Sequence, residues 1–439
     1  MTNNENKTNN IETFKELLKD FTLPKPENKP KENYVNILIL RELKSAARFT
    51  TDGVEANSAI IRIGSIEETV GKMFGRKQVA SDRRKAKALQ RTLFTDEMKK
   101  AIGDDEWDGC TMIVTKMCQK CPECVLFGSA ASDEGISITS RVMYDEAYTI
   151  RALSAIVQEY FQNAPGDDYS KKPTSGIREP DFFKEGTLFP CVITLRDVTT
   201  EEVLFFLNIT DRNSRYGATS TRFGKVQNHI LGVYAGHREG PSSLEVTRKI
   251  ALKLAEKMLD SDKIKIGAGL TNPSTVDLAE KILDSDKIET LEDKLKKVMY
   301  SDTLQVEEVK KLATESYEEI SKNQRINYVA KEIVSTFNAG ENIEKTKIAT
   351  TSISEGTNNL TLPVKSIGNG VKFNETTLST ILTELNDDVM KALLVEQINK
   401  LGNLLNLKNS QEEKARPSKA RGKKAKTETT STPVQQNVP

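Results

Sequence analysis

Residues 188–209 read LFPCVITLRDVTTEEVLFFLNI. The first half, Leu188 to Val198, is a dense apolar run rich in β-branched residues, which reads as a strand buried on at least one face. The second half, Glu201 to Ile209, is apolar enough for a short helix or a strand. Working outward, YVNILILREL (34–43), SAIIRIG (58–64), GISITSRVMY (135–144) and ILGVYAG (230–236) also read as strands. Between them, Ser81–Asp82 supplies a helix start, and Ala86, Leu89 and Leu93 recur at helical spacing, which predicts a helix over 81–94. After about residue 243 only helical patterns remain, with helices expected at 304–323, 326–337 and 376–407. Strands flanking helices, followed by helices alone, give the class α+β with a helical C-terminal extension.

The ends and loops divide the chain. Residues 1–33 read as a disordered leader: a short amphipathic piece from Ile11 to Phe21, then LPKPENKPKEN, whose prolines and charges suit an extended linker. Residues 34–256 are the expected core, and 163–186, rich in Gly, Pro and charge, a long loop or projecting hairpin. LAEKMLDSDKI (254–264) and LAEKILDSDKI (278–288) are a duplicated helix, too few copies for a solenoid. Residues 257–409 form the helical extension, with 340–372 turn-rich. The lysine- and arginine-bearing segment 410–439 reads as a disordered basic tail. No apolar run is long enough for a bilayer. The polar start MTNNENKTNN has no signal-like apolar region, so a soluble, cytoplasmic protein without membrane contact is expected.

Lys and Arg number 64 against 63 Asp and Glu, a net charge of +1, so any attraction for polyanions has to come from local segregation of charge. Two segments segregate it. Between Arg76 and Arg91 seven cations, including Lys77, Arg83, Arg84 and Lys87, meet one acid, Asp82. This is either the wet face of an amphipathic helix or a phosphate-binding one. The stretch DRNSRYGATSTRFGKVQNH (211–229) interleaves Arg212, Arg215, Arg222 and Lys225 with Tyr216 and Phe223, and Gly217 and Gly224 permit close backbone approach. Cations for phosphates beside rings that stack bases suit single-strand binding; an ordinary charged hairpin is the other reading.

Four of five cysteines, Cys110, Cys118, Cys121 and Cys124, crowd into C-x7-C-x2-C-x2-C within an insertion at about 105–130. That spacing closes an all-thiolate shell around a structural zinc, with no open coordination position. An iron–sulfur cluster and four buried thiols are the alternatives. Catalytic signatures are sparse: no P-loop, dinucleotide fingerprint or nucleophile elbow occurs, and only two histidines are present. Asp52, in the loop after the first strand, is the one candidate for metal-dependent chemistry, against the plainer reading of a solvated acid.

The run KQVASDRRKAKALQRTL, the CQKCPECVLFGSA segment, the strand FPCVITLRDV and the stretch RYGATSTRFGKVQNHILGV, in this order, resemble the backbone subunit of the type I-D CRISPR surveillance complex, Cascade. The resemblance covers about residues 34–256. It implies a modified RNA-recognition-motif (ferredoxin-like) core with a zinc-binding insertion and a thumb hairpin, for which 163–186 is the candidate. It implies copies stacked into a helical filament along guide RNA, presenting it to a target DNA strand beside other Cascade subunits. Lys77, Arg83, Arg84, Lys87, Arg212, Arg215, Tyr216, Arg222 and Lys225 would line the RNA groove, and the four cysteines would bind zinc. The role implied is binding rather than turnover. A nuclease cutting target strands at regular intervals through Asp52, and a zinc-stabilised RNA-binding protein acting alone, are the rival functions.

Overall fold

The structure is a computed structural model of the 439-residue chain. It describes residues 8–27, 29–49, 55–102, 110–130, 137–162, 177–217, 221–268, 290–331 and 369–415. In chain order the elements are α1 (Thr8–Leu18), β1 (Tyr34–Leu43), β2 (Ser58–Ile63), β3 (Ile66–Met73), α2 (Gly75–Leu93), α3 (Asp96–Ala101), α4 (Pro122–Phe127), β4 (Val142–Tyr144) and β5 (Ala147–Ala152). There follow α5 (Leu153–Ile156), β6 (Val157–Gln162), β7 (Ile177–Phe183), β8 (Leu188–Arg196), α6 (Thr200–Arg212), β9 (Val226–Gly236) and α7 (Ser243–Ala268). The last are α8 (Leu291–Met299), α9 (Val306–Asn323), β10 (Asn327–Ala330), β11 (Asn369–Asn374), α10 (Glu375–Glu384) and α11 (Asp387–Ala415).

The apolar run at 34–43 lies at the centre. β1 pairs antiparallel with β8, Tyr34 opposite Arg196, and with β9, Tyr34 opposite Gly236. The six-stranded order is β10-β11-β9-β1-β8-β4; β2, β3 and β5 make a second sheet, and β6 and β7 a two-stranded ribbon. Side chains alternate across a strand. Val35, Ile37 and Ile39 therefore face one core, with Phe14 of α1, Leu89 of α2 and Phe205 of α6. Leu38 and Leu40 face the other, with Ile250 of α7, Val298 of α8 and Leu312 of α9. Both faces are covered, which is why β1 reads as a continuous apolar run. Each such side chain buried contributes roughly 1.5–3 kcal/mol.

The 188–209 stretch resolves into strand then helix. Thr199 caps α6: its hydroxyl accepts from Glu202 N at 3.3 Å, while the Glu202 carboxylate accepts from Thr199 N at 2.9 Å. That reciprocal pair decides the ambiguity left by composition.

Several expectations need correcting. The leader is ordered from Thr8: Ile11, Phe14 and Leu18 are buried, because α1's apolar stripe finds partners in α6 and α10. Helix α2 begins at Gly75, not at Ser81, and Ser81 and Asp82 lie inside it with tertiary partners instead of capping roles. The helix expected at 326–337 does not start there: Asn327–Ala330 is a strand parallel to β11, since the sheet edge offers it a ladder, and 332–337 lie outside the described residues. The 376–407 helix is two, α10 and α11, broken at Leu385–Asn386. Residues 257–409 are not a separate extension, for α7 crosses position 256, β11 joins the main sheet and α10–α11 complete the first core. Order in α11 continues past residue 410 to Ala415. Within 163–186, residues 177–183 are β7, while 163–176, the second copy of the duplicated helix and Asp52 lie outside the described residues. No helix among the described residues is long and apolar enough to cross a membrane.

Candidate nucleic-acid interface and metal centre

Helix α2 sorts its cations by helical geometry, since residues three and four apart share a side. Lys77, Ser81 and Arg84 fall on one strip, and Arg84 is exposed. Arg83, Lys87 and Arg91 fall on another, and Asp82 between them points inward.

The inward strip builds a buried hub. Asp82 accepts from Tyr216 OH at 2.6 Å, from Asn213 Nδ2 at 2.7 Å and from Tyr144 OH at 2.8 Å, with Arg41 Nη2 at 3.6 Å. The Arg41 guanidinium lies 4.3 Å from the centre of the Tyr216 ring. Burial, reinforced by the Asp82 carboxylate, pushes the Tyr216 phenol up, so it stays a neutral donor. The Ser81 hydroxyl donates to Arg215 O. The basic helix and the arginine–tyrosine stretch are thus joined through Ser81 and Asp82. The 44–47 segment closes that stretch: Lys44 N donates to Lys225 O at 2.8 Å and Gly224 N to Ala46 O at 2.8 Å. Arg215, Arg222 and Lys225 are exposed on it.

Other residues of the expected groove are placed elsewhere. Tyr216 is wholly buried, so its ring supports Arg41 and is closed to a base. Arg212 pairs with Asp387 at 2.7 Å, linking α6 to α11. Gly217 and Gly224 do permit close approach, but of the protein's own chain: a Cβ at Gly224 would sit 2.0 Å from Tyr216 O, one at Gly217 2.3 Å from Arg48 O, and both have positive φ. Arg83 Nε donates to Glu123 at 2.5 Å and Arg83 Nη2 to Gly128 O at 2.8 Å. Lys87, 2% exposed, pairs with the other Glu123 oxygen at 2.5 Å. The two cations are therefore committed to an acid that spacing along α2 could not reveal, and buried Lys87 is closed to phosphate.

That acid belongs to the cysteine segment. The Sγ atoms of Cys110, Cys118, Cys121 and Cys124 all lie within 4.8 Å of one another, close enough to hold one metal ion. Cys110 and Cys124 are 3.7 Å apart, Cys118 and Cys124 3.9 Å. Pro122 at the first position of α4 sets the turn that brings Cys121 and Cys124 together. Backbone N–H groups of Lys120 and Cys121 donate to Cys118 Sγ at 3.4 and 3.3 Å, and Cys118 N to Cys110 Sγ at 3.3 Å. Donors aimed at sulfur favour the thiolate. Glu123 is the functional residue that sequence reasoning missed. Its only signal is its position in CPEC, inside the cysteine segment.

A family model described as Csc2 Crispr matches residues 14–346. No curated protein matches the chain. Among solved structures, the crystal structure of Thermofilum pendens Csc2 is similar at 19% identity over 68% of this chain and 95% of that one, with a TM-score of 0.43. A CRISPR RNA-guided surveillance complex in a pre-nicking state is similar at 10% identity over 46% of this chain and 75% of that one, TM-score 0.33. A type IV-B CRISPR complex is similar at 14% identity over 44% and 89%, TM-score 0.32. With three quarters of its length matched by one family model, the chain belongs to the Csc2 CRISPR family.

Proposed function

We propose that the protein is a guide-RNA-binding backbone subunit of a Cascade complex of type I-D, holding the guide for pairing with target DNA. The observation that carries this is the junction of α2 with the 213–225 stretch through Ser81 and Asp82, which joins the two segments that carry Lys77, Arg84, Arg215, Arg222 and Lys225. Such a face neutralises phosphates, while base pairing supplies sequence specificity. Because helices and the second sheet cover both faces of the main sheet, RNA would track this rim instead of stacking on strands.

The order β9-β1-β8-β4, with α2 following β1 and α6 following β8, supports a ferredoxin-like core into which β2–β3, the cysteine segment and β5–β7 are inserted. The β6–β7 ribbon is the candidate thumb, reaching a second copy in a filament. For the cysteines, two sulfur pairs at 3.7 and 3.9 Å, with all four sulfurs within 4.8 Å of one another, suit zinc, because ~2.3 Å bonds in a tetrahedron set sulfurs about 3.8 Å apart. An iron–sulfur cluster spreads its four thiolates over two or four irons and needs more room. Zinc there would cross-link the insertion, and its role is structural.

Arg84→Ala with Arg222→Ala is expected to weaken binding to single-stranded RNAs of unrelated sequence alike. The slope of log affinity against log salt should flatten by about 1.4, at roughly 0.7 for each phosphate no longer neutralised. An unchanged slope removes the face from RNA binding. Sedimentation should grow stepwise with RNA length; a constant size would mean a subunit acting alone. Regular target cuts that vanish in Asp52→Ala would establish a nuclease instead.

A further inference from the structure

A lysine sits where α2 would otherwise carry core. Lys87 Nζ donates to Cys110 Sγ at 3.1 Å and to Cys124 Sγ at 3.7 Å, and pairs with Glu123. Glu123 is itself fully buried and takes Arg83 on its second oxygen. One turn further on, Arg91 Nη2 donates to Cys110 O at 2.8 Å. Every cation on this strip of α2 therefore ends on the cysteine segment. Four thiolates around a divalent ion leave two negative charges, and the Glu123 carboxylate adds a third. Lys87, Arg83 and the rim at Arg91 answer them with three positive charges in one place. Charge buried without such compensation is costly.

The opposite side of the same helix holds Ser81 and Asp82, which tie α2 to the arginine–tyrosine stretch of the cationic face. A rigid helix with one side fixed to a metal loop and the other to a binding face transmits displacement from one to the other. We propose that Lys87, held by the Glu123 carboxylate that Arg83 fixes from its other oxygen, forms an outer shell of the metal site, and that through it metal occupancy positions α2 and so sets affinity for guide RNA. This rests on the metal and RNA readings above. It reassigns Lys87 and Arg83 from the groove to the metal. Outer partners of metal ligands tune affinity by roughly 10–100-fold.

The test uses full-length protein stripped of metal and titrated with zinc, with single-stranded RNA binding as the readout. In wild type, stripping should weaken RNA binding at least tenfold, and zinc should restore it. In Lys87→Met the zinc concentration for half-restoration should rise by roughly 10–100-fold. The thiolate-to-metal charge-transfer band of the cobalt-substituted variant should also shift, with Lys87→Arg recovering both. If Lys87→Met does not fold, Glu123→Gln should show the same zinc and cobalt changes more weakly. An unmoved zinc midpoint and cobalt band overturn the inference. So does an RNA affinity in Lys87→Met that no zinc concentration restores, which would make Lys87 an RNA contact. A chain that retains no zinc or cobalt overturns the metal reading itself. A chain that binds metal but no RNA overturns the RNA reading and leaves the cobalt comparison standing.

Discussion

Asp82 shows how one side chain can position a surface it never joins. It is wholly buried and takes hydrogen bonds from three side chains, Tyr144 of β4 and Asn213 and Tyr216 after α6, with Arg41 as its counter-charge. Asp82→Ala leaves Arg41 buried without its partner and should cost about 3–5 kcal/mol in denaturant unfolding. Tyr216→Phe deletes one donor and keeps the ring under Arg41, so about 1–2 kcal/mol is expected. Comparable losses in the two variants would contradict the hub. Gly224→Ala should cost about 2 kcal/mol or more, because its φ of +75° and the nearby Tyr216 carbonyl both oppose a side chain. At this scale residue types were legible and partners were not. The run of cations in α2 is plain in the sequence, but Glu123 lies 40 residues from Arg83 and only folding brings it to Arg83 and Lys87.

Among elements, Glu201 at the start of α6 ties together segments from both ends of the chain. Its carboxylate meets Lys15 of α1 at 3.3 Å and Lys400 of α11 at 2.7 Å. Burial pushes this carboxyl up, but the Lys400 ammonium and the Thr200 hydroxyl overrule it and hold it down at about 2. A depressed folded value stabilises the fold above the unfolded value of 4.5, and that stability is lost as pH falls toward 2. At neutral pH Glu201→Gln should therefore be less stable by roughly 3 kcal/mol, from a shift of that size at about 1.4 kcal/mol per unit. The gap to wild type should close between about pH 5 and pH 2. A gap independent of pH would place the loss in packing alone. At 201–209 composition left helix and strand both open, and the T-T-E-E pattern before the apolar run became a helix start only through the reciprocal Thr199–Glu202 pair. The break between α10 and α11 was not legible: the apolar spacing runs through it, and the turn at Leu385 is held by tertiary donors, Asn208 Nδ2 among them at 3.0 Å.

Taken whole, the described chain is built around one sheet with a core on each side, and its ends contribute to the first core. Phe14 of α1 lies 4.6 Å, ring to ring, from Phe373 of β11, and Asn10 donates to Glu384 at 2.6 Å. Deleting residues 1–21 should expose this core and lower the melting temperature steeply. Unchanged melting would mean that α1 only rests on the surface. Removing bound metal with a strong chelator should likewise lower the melting temperature, and Cys121→Ser should reproduce the loss, since ligand closure contributes directly to folding free energy.

The sequence by itself determined the local matters: the central strands, the helical α2, the thiolate loop and the segregation of cations into two segments. Strand period, helical spacing and Cys-x2-Cys turns act between neighbours along the chain, so they are written in short windows. Only the tertiary structure decided which cations face outward, that Tyr216 belongs to the core, and that both ends of the described chain pack beneath the sheet. Those outcomes depend on which distant acid, carbonyl or apolar stripe arrives opposite a residue, and desolvation then makes the pairing obligatory.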